Sequence, residues 1–317
     1  MHAQTERQFP VLIRRQLRTI PEVLLAWLAW CIIPLLPRGC VLGLARFGGG
    51  VGWRFARRER KVSLANLELA YGETLSEEER ISIGKSAFQS FALTLLDLFW
   101  FSRWTESRYR RYTHIDSKMA HILKMAPFVG VTGHLGNWEI LSMMFGMEGN
   151  PMTAVAMPLK NRIVDHMLSC LRMRTGSHPV PRSGAVRSLL GALRSNRPIG
   201  LLLDQNTLPD EGGIFVPFFG LPVTVSNAVG LLAQKTQAPI VVVIAVADKK
   251  GIYHFVCSDV VTPEGRTAEE LTCAVTRQLE LMIRAYPHYW LWSYKRWRYY
   301  RDQDDASRYP YYARRIP

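Results

Sequence analysis

Acid is what this 317-residue chain has little of: 26 Asp+Glu stand against 40 Lys+Arg, a formal charge of +14. A surplus of that size favours an anionic partner, whether nucleic acid, an anionic membrane or an acidic protein. Cysteine is scarce as well. Cys31, Cys40, Cys170, Cys257 and Cys273 are odd in number, widely spaced and form no CxxC pair. That argues against a zinc ribbon or a disulfide framework and fits scattered core thiols in a reducing cytoplasm. Besides His134, the histidines (His2, His114, His121, His166, His178, His254 and His288) show no ligand spacing, so no metal is expected. There is no G-x-S-x-G elbow for a covalent serine and no H-E-x-x-H for a zinc protease. Internal repeats and low-complexity linkers are also lacking. What remains is a chain that is 48% hydrophobic, with 9 Trp and 13 Phe, long enough for one large α/β domain or two small ones.

One apolar segment stands near the amino terminus, "PEVLLAWLAWCIIPLLP", Pro21 to Pro37, interrupted only by Glu22. As one helix its 17 residues would reach roughly 25 Å, short of a hydrocarbon core of ~30 Å. Pro34 would break or kink it. Arginines lie on both sides of it (Arg7, Arg14, Arg15 and Arg18 before; Arg38, Arg46, Arg54, Arg57 and Arg58 after). A spanning helix shows more asymmetry, and "PLLPRGC" is a poor signal-peptide cleavage site. The segment reads as a membrane-associated helix that dips into the inner leaflet or spans it marginally; the competing reading is a buried core helix.

Further on, Ser76 and Glu79 form an S-x-x-E capping box. The helix it opens carries Ile81, Gly84, Phe88, Phe91, Leu95 and Phe99 at helical spacing, which predicts one buried face. From about residue 127 to 285, strands alternate with helices. "PFVGVTG", "PMTAVAMP", "RPIGLLLDQN", "APIVVVIAVA" and "YHFVCSDVV" read as strands. The segments "WEILSMMFGM", 161–174, "GAVRSLLGALRSN", 227–236 and "TAEELTCAVTRQLELMIRAY" read as helices. That order implies an α/β sandwich with a largely parallel sheet. The polar, proline-bearing end, "DQDDASRYPYYARRIP", reads as a partly disordered tail.

The stretch "FVGVTGHLGNWEIL" places His134 after a buried strand and Glu139 five residues on, at the start of a helix. On one continuous helix the two side chains would stand roughly 140° apart. Gly136 and Asn137 supply a bend between them, so the spacing suits a strand-to-helix corner at the carboxyl end of a sheet. A carboxylate on one ring nitrogen fixes the imidazole tautomer, and the other nitrogen then accepts a hydroxyl proton. Glu139 is the expected partner of His134.

In "GHLGNWE" the chain resembles the H-x₄-(D/E) block of the glycerolipid acyltransferase superfamily, in its lipid A late-acyltransferase (lauroyl and myristoyl transferase) branch. The likeness continues through "RRERKVSLANLELAYGETLSEEER", "LRMRTG", "IGLLLDQN", the "VPFFG" loop and "YPHYWLWSYKRW". It implies a glycerolipid-acyltransferase-like fold: a central, largely parallel or mixed sheet flanked by helices, with a membrane-associated amino-terminal helix. Three regions follow: 1–60 as basic segment and anchor, 61–301 as catalytic domain, and 302–317 as tail. By the resemblance, the enzyme works at the cytoplasmic side of a bacterial inner membrane. It moves a fatty acyl group from an acyl carrier protein to a hydroxyl of an anionic lipid A precursor, with no cofactor beyond that co-substrate. His134 becomes the general base and Glu139 its partner. Arg172 and Arg174 are offered to an anionic head group, and Asp204 stands at the site's edge. Where the family often reads W-x-H-R-R-W, Tyr294 and Lys295 occupy the variable places here, which leaves the acceptor open. Another glycolipid or lysophospholipid, of the phosphatidylinositol mannoside type, and an acyl-CoA donor therefore stay as alternatives.

Plainer readings compete for several residues. Arg172 and Arg174, two apart, cannot share a helix face, so either can belong to a solvated helix end. Asp204 can cap a turn or pair with an arginine. Phe218 and Phe219 can be core, although adjacent residues of a strand point to opposite faces, which would let one line an acyl pocket. Thr224, Ser226 and Asn227 read as helix caps. The run "YWLWSYKRWRYYR", Tyr289 to Arg301, mixes aromatics with bases as single-strand binders do. No RNP, KH or helix-turn-helix signature accompanies it, so nucleic acid is not expected as a partner.

Overall fold

The computed structural model describes residues 21–156, 161–175, 177–181 and 184–316. The four arginines before the apolar segment, Arg7, Arg14, Arg15 and Arg18, lie outside these residues.

The amino-terminal third is helical. Residues 21–32 form α1, a 3₁₀ turn follows at Ile33–Leu35, and α2 (Arg38–Phe55) begins straight after Pro37. Pro34 and Pro37 thus divide the apolar segment, as the missing N–H and fixed φ of proline require. Among the described residues no helix is long and apolar enough to cross a membrane. Helix α3 (Arg57–Tyr71) leads to α4 (Glu77–Trp100), which opens on the full Ser76–Glu79 capping box. The buried residues of α4 are Ile83, Gly84, Ala87, Thr94, Asp97 and Trp100, while Ile81 and Leu95 are exposed. Of the expected stripe Gly84 is buried, Phe88, Phe91 and Phe99 are half-buried, and Ile81 and Leu95 face outward. Where α2 crosses α4, Gly49 lies against the backbone of Gln89 and Phe88 packs edge-on against Trp53.

After α5 (Thr105–Tyr112), β1 (Thr113–His114) and α6 (Ser117–Leu123), the alternating region begins. It runs β2 (Val129–Thr132), α7 (Trp138–Met147), β3 (Thr153–Ala156), α8 (Arg162–Arg174), β4 (His178–Pro181), α9 (Ala185–Arg194) and β5 (Ile199–Leu202). A hairpin, β6 (Gly213–Phe218) and β7 (Leu221–Ser226), precedes α10 (Ala228–Thr236), β8 (Ile240–Ala247), β9 (Tyr253–Cys257) and α11 (Ala268–Ala285). One sheet of seven strands has the order β1-β9-β8-β2-β5-β3-β4. It is parallel throughout except where β8 meets β9, so the expected α/β class and mostly parallel sheet stand. Strand β4 was not foreseen. Its two prolines suit the sheet edge, where it pairs only with β3.

The carboxyl-terminal segment folds back as well. Strand β10 (Tyr299–Tyr300) pairs with β11 (Arg314–Arg315), Tyr309 is buried, and the Tyr312 hydroxyl donates to Asn66 on α3. The tail is thereby ordered up to its last described residues.

Central strand β2 lies between β5 and β8, and its residues Val129 and Val131 are buried. It pairs with β5 in register, Val129 beside Ile199 and Thr132 beside Leu202. Two parallel strands that end level present their next residues side by side, which fixes the neighbourhood of the site.

Candidate active site

Carrying the β2–β5 register two residues past Thr132 and Leu202 sets His134 against Asp204. The Asp204 carboxylate accepts from the backbone amide of His134 at 2.6 Å and meets its ring Nδ1 at 2.9 Å. Gly133 makes that approach possible, since a Cβ there would stand 2.9 Å from Asp204 Oδ2. A third bond comes from the indole of Trp290, whose Nε1 donates to Asp204 Oδ2 at 2.9 Å. The segment bearing Trp290 is tied to the same turn, with Leu291 N bonded to His134 O and Gly136 N to Tyr289 O.

Glu139 does not hold the imidazole, contrary to expectation. Gly136 turns the chain at φ +67°, its α-carbon pressed so closely on the Ala245 carbonyl that a Cβ would overlap it. Asn137 then caps α7 by accepting from Ile140 N. The residue that comes back against the ring is Trp138, edge-on with centroids 4.8 Å apart. Glu139, one place later in the first turn of α7, points to α8 instead. There Arg172 clamps it with two bonds, Nε to Oε2 at 2.9 Å and Nη2 to Oε1 at 2.5 Å.

The charges follow from these contacts. Burial pulls the His134 pKa down, but the charge and bond of Asp204, with a smaller contribution from Glu139, raise it above the ordinary histidine value. Burial alone would raise the Asp204 carboxyl. The His134 charge and ring bond, the Trp290 bond and the His134 amide outweigh it and hold the group below the usual carboxylate range. Arg172 is held above its ordinary value, first by its bond to Glu139. The arrangement has a protonatable ring fixed at Nδ1 by a carboxylate, leaving Nε2 for an incoming hydroxyl.

The remaining expected residues divide. Asp204 stands at the centre of the site, not its edge. Arg172 reaches the site through Glu139; Arg174 ends α8, and its side chain lies outside the described residues. Phe218 and Phe219 are both buried among Trp290, Trp292 and Trp297. They can share that core because Phe219 leaves the strand: with φ +47° it and Gly220 form the two-residue hairpin turn between β6 and β7. The aromatic run after Tyr289 is largely spent the same way, with Trp290, Trp292, Arg296 and Trp297 buried.

A small open cleft, apolar on the walls formed by Leu98, Phe101, Ile140 and Met143, lies beside the Glu139–Arg172 pair. At its inner end Asp97 belongs to a buried polar chain. Arg38 of α2 binds Asp97 with both terminal nitrogens, the Tyr253 hydroxyl donates to Asp97 at 2.5 Å, and Asn137 Nδ2 donates to that hydroxyl at 2.8 Å. The helix crossing α2–α4 is thus connected to the turn that carries His134. Among the described residues no group of histidines, cysteines and carboxylates has the spacing of a metal site.

Three residues of this site escaped sequence reasoning: Asp204 as the partner of His134, Trp290 as its second anchor, and Asn137 as the link to Asp97. The "LLLDQN" and "YPHYWLWSYKRW" blocks both carried the signal, but nothing in either states which strand lies next to which.

The chain is 25% identical over 304 residues to the Lipid A biosynthesis lauroyltransferase of Escherichia coli (strain K12), spanning 91% of this chain and 96% of that protein. It is 23% identical over 276 residues to the Lipid A biosynthesis acyltransferase 2 of Shigella flexneri, covering 84% and 86% respectively. The family profile described as bacterial lipid A biosynthesis acyltransferase matches residues 13–299, and the chain belongs to that family of acyltransferases.

Proposed function

We propose that this acyltransferase moves a fatty acyl chain from an acyl carrier protein thioester to a hydroxyl of a lipid A precursor, with His134 as general base oriented by Asp204. The observation that carries the reading is the Nδ1 contact to a buried, anchored carboxylate, with Nε2 left for substrate. In the forward step Nε2 takes the acceptor's hydroxyl proton as its oxygen attacks the thioester carbonyl. The tetrahedral intermediate then collapses, the C–S bond breaks, and the imidazolium returns the proton to the departing thiolate. The ester and the free thiol balance the reaction, and no covalent enzyme intermediate is needed. The Asp204 charge stabilises the imidazolium between the two transfers.

The apolar cleft beside Glu139 is the place for the acyl chain, where each buried methylene contributes about 0.8 kcal/mol. The +14 charge suits an acidic carrier protein and an anionic acceptor together. A membrane setting is supported by α2, whose residues Leu44, Phe47, Val51 and Phe55 are exposed on one side while Val41, Ala45 and Trp53 are buried on the other. Leu25 and Trp27 of α1 are exposed too.

The test uses detergent-purified protein, wild type beside His134→Ala, with acyl carrier protein charged with laurate or myristate and a Kdo-bearing lipid A precursor. Product mass is the readout. A gain of one acyl group by wild type alone supports donor, acceptor and base together. Product from both proteins would remove the role given to His134, and product from neither, but turnover on acyl-CoA or another glycolipid, would replace the donor or acceptor.

A further inference from the structure

Arg296 is the one arginine of the carboxyl-terminal block whose burial the reaction just described leaves unexplained. It is 1% exposed, yet its described partners are neutral: Nη1 donates to Asn206 Oδ1 at 2.9 Å and to the Thr224 carbonyl at 2.7 Å. Its Nε is buried with no partner among the described residues. A buried guanidinium without a bonded carboxylate is costly, so its place needs a reason.

Asn206 supplies one. It lies two residues beyond Asp204, and the same carboxyl-terminal block grips it three ways: Arg296 at Oδ1, the Tyr294 hydroxyl at its backbone N, and the Lys295 carbonyl at Nδ2. Trp290, from that block, holds Asp204 itself. We propose that Arg296 is a positioning residue for the His134–Asp204 pair: its guanidinium fixes the Asp204–Asn206 turn and places a buried positive charge beside it.

The electrostatics agree. Burial pushes the Arg296 guanidinium down to about 10, against the opposing pull of Asp204, Tyr294 and Tyr312, so it remains a cation at neutral pH. By reciprocity that cation favours the ionised form of Asp204 and opposes protonation of His134. The other groups facing the pair are Glu139, neutralised by Arg172, and the uncharged indoles of Trp138 and Trp290. Arg296 thus tempers the basicity that Asp204 gives the ring.

This inference rests on His134 being the base, and its test has one arm that does not. The first arm compares pH profiles of kcat/KM for wild type, Arg296→Lys and Arg296→Gln. With the charge kept, Arg296→Lys turns over more slowly with its acid limb in the wild-type position. With the charge removed, Arg296→Gln shows that limb moved upward by about half a pH unit or more. Limbs that coincide in all three, with only kcat reduced, would make Arg296 a structural residue and overturn the proposal.

The second arm reads thermal stability at pH 8 and holds even if Arg296→Gln does not fold or His134 is not the base. Asp204→Asn keeps the side chain's shape and removes the negative charge on the turn that Arg296 holds, so it lowers Tm by several degrees more than His134→Gln does. An equal or smaller drop would show that Arg296 does not depend on Asp204, and would overturn the proposal independently.

Discussion

Asp204 holds His134 at two points, the backbone amide and ring Nδ1, across 70 residues of chain. That separation is also the register of the two strands before them, from Val129 beside Ile199 to Thr132 beside Leu202. The pair is therefore a continuation of the sheet, and the precision of the contact is inherited from strand pairing instead of loop packing. Placing a site on such elements keeps its geometry rigid.

The two carboxylates near His134 should separate cleanly on mutation. Asp204→Asn leaves the shape but presents an amide to Nδ1, which permits the wrong tautomer, so kcat falls by roughly 10²–10⁴. Glu139→Gln loosens the Arg172 clamp without touching the ring and costs less. Steady-state kinetics on both variants decide this, and a larger loss for Glu139→Gln would return Glu139 to the place first expected for it.

The raised pKa of His134 has a sign that can be read in rate and in stability. Only the neutral ring accepts a proton, so kcat/KM climbs as pH rises through the folded pKa, and the half-maximal point lies above ~6.5. In Asp204→Asn burial acts without its main opponent and the limb moves to lower pH. The stability that protonated His134 adds is present in full below ~6.5 and is lost as pH rises through the folded pKa. Asp204, held low, contributes above ~3.9 and loses its contribution as pH falls through its own folded value. A rate limb at or below pH 6 in wild type would contradict the arrangement.

Much of this site was legible in sequence, and the parts that were not share a cause. The valine-rich strand, the Gly-Asn corner and the helix after it stand where "FVGVTGHLGNWEIL" placed them, because glycine and a capping asparagine act locally. The partner of His134 depended on which strands are neighbours, and sheet order is set by the packing of the whole domain. Counting along one segment made Glu139 the nearest carboxylate, whereas the corner gave that position to Trp138. The phenylalanine pair failed for a related reason. Alternation along a strand applies to Phe218 but stops at Phe219, whose left-handed backbone belongs to the turn. On α4 the buried face is rotated from the expected one, since Ile83, Gly84 and Ala87 are buried while Ile81 and Leu95 stay exposed.

The buried chain from Arg38 to Asn137 should behave as a unit in stability measurements. Arg38→Met strands a buried carboxylate and costs about 3–5 kcal/mol, because the penalty of the remaining charge is no longer offset. Replacing both partners, Arg38→Met with Asp97→Leu, removes the stranded charge and recovers part of that loss. Denaturant unfolding of the single and double variants provides the comparison. A double variant less stable than Arg38→Met alone would mean that the Asp97 bonds to Tyr253 matter more than its pairing with Arg38.

Chain-length choice should lie in the cleft beside Glu139. Leu98 is half-buried on its wall, so Leu98→Trp shortens the space without touching the His134–Asp204 pair. Two methylenes are worth about 1.6 kcal/mol when fully buried, which sets a ceiling of roughly fifteenfold on the change in preference between twelve- and fourteen-carbon donors. Competition between the two charged carriers measures it. An unchanged ratio in an active Leu98→Trp enzyme would place the acyl chain elsewhere.

Helix α2 makes the strongest case for a membrane surface. At 100° per residue Leu44, Phe47, Val51 and Phe55 fall within about 80° of one another. All four are exposed, Phe47 at 73% and Phe55 at 75%. The opposite side is already committed to the protein through Val41, Ala45 and Trp53. A helix apolar on two sides satisfies only one of them within the fold, and Arg54, Arg57 and Arg58 beside the outer stripe are exposed and match anionic head groups. Moving each phenylalanine from water into hydrocarbon contributes about 1.5–3 kcal/mol. The double variant Phe47→Asp with Phe55→Asp is therefore expected to lose flotation with vesicles of anionic lipid while still acylating substrate dispersed in detergent. Both residues lie outside the core, so its thermal stability should stay near that of wild type. Undiminished flotation would show that α2 does not provide the contact and would shift the attachment to α1 or to residues before it.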